Sequence, residues 1–189
     1  MENNLFDIIE KMPVEYGAFK SKIIKTDEIK TDACFRDMCQ SNACGAYGKC
    51  WMCPPAVGDI HALMSEVKKY DYALVYQTVT GLEDSYDYEG MVAAKKESYK
   101  LAQKIRERFN ALFDTNALHL GSGGCGVCES CAKKIDEPCR FPSRAMPSLE
   151  AYGVNVSELA KSADMKYING ADTVTYFGAV LFSFGGGKK

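Results

Sequence analysis

The stretch Cys125-Gly126-Val127-Cys128-Glu129-Ser130-Cys131, followed by Cys139-Arg140-Phe141-Pro142, is the part of the chain around which the rest is organised. Its two consecutive Cys-x2-Cys steps hold three thiols within about one turn of backbone, which suits one corner of an iron–sulfur cube and suits a disulfide poorly. Glycines surround the thiols, and a backbone that wraps a cluster needs residues that tolerate positive φ. These glycines are at positions 121, 123, 124 and 126. The stretch therefore predicts a metal-cluster site.

The length and charge of the chain limit the number of domains and the classes of partner that are expected. With 189 residues, one α+β domain over residues 1–189 is expected, carrying cysteine loops at about 34–55 and 121–147. The 23 basic and 25 acidic residues nearly balance, so no overall field attracts the protein to nucleic acid or to an anionic membrane. We expect neither as a partner, and the oligomeric state stays open.

The apolar segments predict a cytoplasmic protein. The longest uncharged apolar run, residues 174–184, is about half as long as a bilayer crossing and is predicted to be a buried strand. The N-terminus lacks the basic start and the apolar core of a secretory signal. Nine cysteines in a reducing compartment, an odd number, favour metal ligation over structural disulfides.

A second cysteine-rich region precedes the first in the chain. It runs from Cys34 to Pro55 and holds five thiols within twenty residues, broken by glycines and closed by a diproline. Such a segment cannot be regular helix or strand throughout, so a rigid loop is predicted. Trp51, the only tryptophan, lies inside it, where an indole suits either shielding of a cluster or filling of an ordinary core gap.

Hydrophobic periodicity predicts the remaining elements and the fold class. Helices are predicted at 4–12, 59–70, 88–113 and 155–163, and strands at 16–24, 72–80 and 116–121. A terminal hairpin is predicted around Asn169-Gly170, with arms at 166–168 and 173–184. Helices between strands and a terminal hairpin indicate an α+β fold with a single mixed β-sheet covered by helices and two cysteine-rich, cluster-binding loops.

The spacing of the later cysteines favours a four-iron cluster over zinc. The run approaches that of bacterial ferredoxins, whereas zinc ribbons prefer two separated Cys-x2-Cys pairs. Seven residues separate Cys131 from Cys139, where a ferredoxin has three, so the fourth ligand must return by another path. Both Cys139 and Cys53, which precedes a proline, are candidates for it.

In the earlier region Cys39, Cys44 and Cys53 have irregular gaps, with Cys34 and Cys50 as possible fourth ligands. A cluster held by three thiolates leaves one iron open to water or substrate, which makes that iron a Lewis acid. A fully ligated electron-transfer cluster and a structural zinc site are the alternatives.

Three motifs together resemble one family. They are Cys39-x4-Cys44-Gly-x-Tyr-Gly-x-x-Trp-x-Cys53-Pro-Pro, Gly-x-Cys125-x2-Cys128-x2-Cys131-x7-Cys139-Arg-x-Pro, and Pro-Ser-Leu-Glu-Ala-Tyr-Gly-Val-x-Val from Pro147. The chain resembles the family of cysteine-rich predicted metal-binding proteins that carry a domain of unknown function. The resemblance implies metal ligands at Cys39, Cys44, Cys53, Cys125, Cys128, Cys131 and Cys139, does not require Cys34 or Cys50, and supplies no reaction.

Other polar residues give weaker signals. His61 and His119 are expected to be packed or exposed imidazoles and not ligands. Arginines 36, 140 and 144 flank the cysteine regions. Their positive charges suit neutralisation of a cluster, binding of an anionic substrate or formation of surface ion pairs. Glu150 is predicted to be a first-turn acid that faces a helix dipole. The sequence holds no phosphate loop, dinucleotide fingerprint or serine-nucleophile motif.

Three functions remain open on this basis. The first is an iron–sulfur protein with one or two four-iron (4Fe-4S) clusters that serves electron transfer or reductive activation of a redox protein partner. The second is a cluster-dependent enzyme, lyase or desulfurase-like, with an open iron held by Cys39, Cys44 and Cys53. The third is a zinc-binding structural or interaction module.

Overall fold

The computed structural model describes residues 2–113 and 116–184. Its helices are α1 (Glu2–Glu15), α2 (Cys34–Gln40), α3 (Ile60–Val67), α4 (Tyr88–Leu112) and α5 (Val156–Ser162). Its strands are β1 (Lys20–Lys25), β2 (Tyr72–Gly81), β3 (Leu118–Leu120) and β4 (Thr173–Phe182). Short 3-10 turns lie at Thr26–Glu28, Ala132–Ile135 and Glu150–Tyr152. Among the described residues, no helix combines the length and the apolar character needed to cross a membrane.

The four strands form one sheet in the order β1-β2-β4-β3, and every neighbouring pair is antiparallel. The predicted α+β class, with one sheet and helices against it, is confirmed, but the sheet is not mixed. Strands β2 and β3, joined through α4, do run in the same direction, as expected for strands linked by a helix. They are not neighbours, because β4 inserts between them and is antiparallel to both.

The predicted terminal hairpin is wrong. Residues 166–168 form no strand. The side-chain Nδ2 of Asn169 donates to the carbonyl of Lys166 at 3.1 Å and to Oγ1 of Thr175 at 3.0 Å. These bonds close a turn at the start of β4. Residues 173–182 pair instead with β2 along their whole length, from Tyr72 opposite Phe182 to Gly81 opposite Thr173.

Other element boundaries differ slightly from the predictions. Pro13 does not end α1, which continues to Glu15, and β1 begins at Lys20 and not at position 16. The predicted helices α3, α4 and α5 and strands β2 and β3 are confirmed within a few residues. The residues after Phe184, predicted to be a loose tail, lie outside the described residues.

The sheet carries an apolar core on each face, because alternate residues of a strand point to opposite sides. On one face Leu74, Tyr76 and Phe182 pack with α1 and α4, in a cluster that includes Ile9, Met12, Leu101, Ile105 and Phe109. On the other face Val75, Phe177 and Leu181 pack with α3, α5 and the segment before α5, in a cluster that includes Leu63, Val67, Leu149, Val154 and Leu159.

The segment 147–155 anchors both cysteine-rich regions. The amide of Leu149 donates to the carbonyl of Gly121 at 2.9 Å, and the amide of Asp32 donates to the carbonyl of Gly153 at 2.7 Å. The side chains of Ser148 and Asn155 accept backbone N–H bonds at 3.1 Å and so cap the turn and the helix that follow them. The two cysteine regions therefore leave the fold from one place.

A first prediction concerns Gly178, which lies opposite Tyr76 across β2 and β4. A Cβ at Gly178 would lie 2.4 Å from ring atoms of Tyr76, whose ring is buried and cannot move without repacking the core. We expect Gly178→Ala to lower the free energy of unfolding, measured in urea, by about 1–3 kcal/mol. Gly81→Ala is the control, because nothing lies within 4 Å of its added Cβ. Equal stability of the two variants would contradict the prediction.

A second prediction concerns the two histidines. Burial, with a smaller contribution from Arg106, lowers the pKa of His119 to about 3. The unfolded chain takes up this proton below its ordinary pKa of about 6.5, and the folded chain does not. Above pH ~6.5 the titration of His119 therefore does not lower the free energy of unfolding. Between pH ~6.5 and pH ~3 the free energy of unfolding falls by about 1.4 kcal/mol for each pH unit.

We expect His119→Gln to flatten the dependence of unfolding free energy on pH over this range. His61→Gln is the matched control, because His61 is exposed on α3. Parallel pH profiles for His119→Gln and the wild type would refute the assignment.

Candidate metal centre

The two cysteine-rich regions, here called the first loop (34–55) and the second loop (121–147), contact each other. The indole Nε1 of Trp51 donates to the carbonyl of Glu137 at 2.8 Å, and the ammonium of Lys133 lies 4.7 Å from the centre of the indole ring. The backbone of Gly124 passes so close to Cys53 that an added Cβ would lie 3.5 Å from its sulfur. Thiols that are distant in the sequence therefore share one region of the fold.

The first loop begins as a helix and then turns back. Helix α2 carries Cys34 and Cys39, so this part of the predicted loop is regular. Asn42 then takes a positive φ of 54°, which its short polar side chain tolerates, and its Oδ1 accepts the amide of Tyr47 at 3.1 Å. The turn brings Cys44 back toward Cys39.

Three thiols of the first loop line a single cavity of about 240 Å³. They belong to Cys39, Cys44 and Cys53. The other lining residues come from both loops and from the anchoring segment, and they include Phe35, Met38, Tyr47, Gly123, Gly124, Ser148 and Glu150. The structure thus gathers the three first-loop cysteines that the sequence selected.

The surroundings of Cys39 favour its protonated form. Burial raises the pKa of the Cys39 thiol, Arg36 opposes this rise, and Cys44 and Glu150 add to it. A coordinated thiol is deprotonated outright, so a bound cation would remove this proton.

Cys50 is the residue that sequence reasoning undervalued. It is buried, and its side chain interacts with that of Cys53, which lowers the pKa of Cys50 to about 5 and raises the pKa of Cys53 as the two share a proton. The amide of Cys125 and the thiol of Cys131 add to the lowering. Cys50 therefore faces the second loop, although the sequence weighed it as a ligand in the first. In the sequence, the only signal for this position is the Cys-x2-Cys spacing of Cys50 and Cys53.

In the second loop, Tyr99 of α4 supports the first cysteine. Its hydroxyl lies 3.5 Å from the sulfur of Cys125 and accepts a hydrogen bond from the side-chain Nε2 of Gln103 at 3.0 Å. Burial and the neighbouring Cys125 raise the pKa of Tyr99, so the hydroxyl keeps its proton and is able to donate to the sulfur. Glycine at position 126 suits this approach, since a Cβ would lie 3.2 Å from the tyrosine ring, a tight contact.

The remaining cysteines of the second loop, Cys128, Cys131 and Cys139, are half-buried. The guanidinium of Arg140 donates to the carbonyl of Ser130 at 3.1 Å and so joins the two arms of the loop. In the described part of the chain, no three His, Cys, Asp or Glu side chains converge closely enough to surround a single ion.

The other sequence candidates lie apart from these thiols. Cys34 is exposed, and its amide donates to the carboxylate of Asp32 at 2.9 Å. His119 is packed in the core with its Nε2 3.0 Å from Oδ1 of Asn110, and His61 is exposed on α3, as expected for both.

The residues present fit a thiolate-bound metal group. Soft thiolate donors select zinc, copper(I) and iron–sulfur clusters. Beside the thiols, Oε2 of Glu150 is buried and has no hydrogen-bond partner among the residues that the structure describes. Fold and donor set together define a cysteine-rich α+β protein suited to a soft metal.

Comparison with known proteins agrees with this class. A family model described as "Predicted metal-binding protein (DUF2284)" matches residues 22–182, which is most of the chain. The chain belongs to this family, as the motifs of its two loops indicated. Neither the curated proteins nor the solved structures compared with it gave a match.

A third prediction tests the contact between the loops at Gly124. An alanine there would meet Cys53 and Ala46 at ordinary contact distances of 3.5 and 3.6 Å, whereas a leucine would extend into both. We expect Gly124→Leu to lose several-fold in bound metal, measured by elemental analysis, while Gly124→Ala keeps it. Urea unfolding checks that both variants fold. A Gly124→Leu variant with full metal content would show that the contact does not matter.

Proposed function

We propose that the protein is an iron–sulfur protein that carries one or two four-iron clusters and serves electron transfer or reductive activation of a partner. The observation that carries the proposal is the cavity of about 240 Å³ lined by the thiols of Cys39, Cys44 and Cys53. A single water needs only about 10–15 Å³ of such space, so the cavity has room for a group far larger than one ion. Thiols spread around a cavity of this size suit a cluster.

The second loop supports a second cluster. Its Cys125, Cys128 and Cys131 have the spacing of a ferredoxin run, and the sequence left Cys139 and Cys53 as fourth ligands. The interaction of Cys50 with the Cys125 amide and the Cys131 thiol adds Cys50 as a third candidate.

The surroundings of the thiols support a redox role. Amides and hydroxyls near cluster sulfurs tune the reduction potential, and the hydroxyl of Tyr99 is such a donor. Apolar side chains are exposed on both loops, including Met38, Ile135 and Phe141. Exposed apolar residues beside a redox group suit brief contact with a redox protein partner.

One observation favours a second candidate function, a cluster-dependent enzyme of the lyase or desulfurase-like type. The cavity is lined by three thiols only, so a cluster bound there keeps one iron without a thiolate. That iron is available to polarise a substrate as a Lewis acid. A zinc-binding structural module is the third candidate, and elemental analysis separates it from both.

A fourth prediction tests the cofactor. Protein purified without oxygen is expected to be brown and to contain iron and sulfide in similar amounts, with little zinc. Cys128→Ala should lower iron and sulfide together, because Cys128 lies in the central ligand run. Cys34→Ala is the control, because Cys34 is exposed and the resemblance to the family does not require it. A colourless protein with stoichiometric zinc would reject the proposal.

The same measurements assign the fourth ligand of the second loop and the role of the first. Whichever of Cys50→Ala and Cys139→Ala loses more iron identifies the closer ligand. Paramagnetic spectra of the reduced protein, recorded with and without added candidate ligands, test the open iron. A spectrum that never changes would leave electron transfer as the function.

A further inference from the structure

Glu150 has a place in the structure that its position in the sequence did not predict. The sequence predicted an acid that faces a helix dipole. The structure places Glu150 at the start of the short 3-10 turn Glu150–Tyr152, within the segment that anchors both loops, and its side chain lines the cavity of the three thiols. Glu150 is also close enough to Cys39 to act on it electrostatically.

One carboxylate oxygen of Glu150 is left without compensation. Its Oε2 is buried and has no hydrogen-bond partner among residues 2–113 and 116–184. None of the ion pairs between described residues includes Glu150. Glu150 as a whole is partly buried, but its buried oxygen costs folding free energy without a partner, and a bound cation or donor at that point would offset the cost.

The nearest arginine does not supply that cation. Arg36 uses its two terminal nitrogens to donate to the backbone carbonyls of Gly58 at 3.1 Å and Ala151 at 3.4 Å. These bonds, with the bond from the amide of Ala151 to Oγ of Ser148 at 3.1 Å, hold the turn that carries Glu150. Arg36 therefore positions the turn, its buried Nε has no acceptor either, and no ion pair between described residues joins it to Glu150.

We propose that Glu150 is an oxygen ligand that completes the site of Cys39, Cys44 and Cys53, so that the metal group there is held by three thiolates and one carboxylate. The identity of that group as an iron–sulfur cluster rests on the function proposed above. A carboxylate is a harder ligand than a thiolate and leaves iron more readily. A metal atom held by this carboxylate would be the more exchangeable position of the group and would offer a site to an oxygen or nitrogen donor.

A fifth prediction tests this ligand with three variants purified without oxygen. Glu150→Gln removes the charge at nearly constant shape, and Glu150→Cys offers a thiolate in its place. Glu158→Gln is the matched control, because Glu158 lies on α5 and pairs with Lys161. The readouts are iron and sulfide per chain and the paramagnetic spectrum of the oxidised protein, and urea unfolding confirms that each variant folds.

If Glu150 is a ligand, Glu150→Gln loses about one iron atom per chain while its sulfide is unchanged, and the signal of a three-iron cluster appears. Glu150→Cys and Glu158→Gln keep the iron content of the wild type. If the wild-type protein contains iron and sulfide, and Glu150→Gln has the same iron, sulfide and spectrum, the role of Glu150 is overturned. The cluster assignment is then unaffected. Wild-type protein that holds zinc instead would overturn the proposed function. Zinc content that Glu150→Gln does not change would then overturn the ligand as well.

Discussion

The contact between the first and second loops is the constraint on which the candidate site depends. Both loops leave the fold beside the segment 147–155, which binds Gly121 and Asp32 through its backbone. The indole of Trp51 then ties the first loop to the second through Glu137. Because the anchors are part of the core beneath the sheet, the packing of β2, β4 and α5 fixes where the thiols meet.

The site that results has polar groups that the protein alone does not compensate. Burial holds the proton on the Cys39 thiol, and the oxygen of Glu150 is buried without a partner. On the proposal made above, a cation bound in the cavity would offset both costs, since it would remove thiol protons and pair with the carboxylate. Metal binding would then add to the stability of the loops.

Local signals predicted much of the secondary structure and less of its arrangement. The helices α3, α4 and α5 have apolar periodicity or caps such as Asn155, and these depend on residues close in sequence. The hairpin at Asn169-Gly170 failed although its turn residues are favourable. Strand β4 pairs with β2 and β3, which lie far from it in the sequence, and the turn residues do not reveal these partners.

The sequence by itself determined the α+β class and the soft donor set, because periodicity along the chain fixes which residues share a face and the cysteines supply the donors. Only the tertiary structure decided the insertion of β4 between β2 and β3, the reach of Cys50 toward Cys131 and the place of Glu150 at the cavity. These last features join residues tens of positions apart, and such contacts depend on how the whole core packs, which no local pattern records.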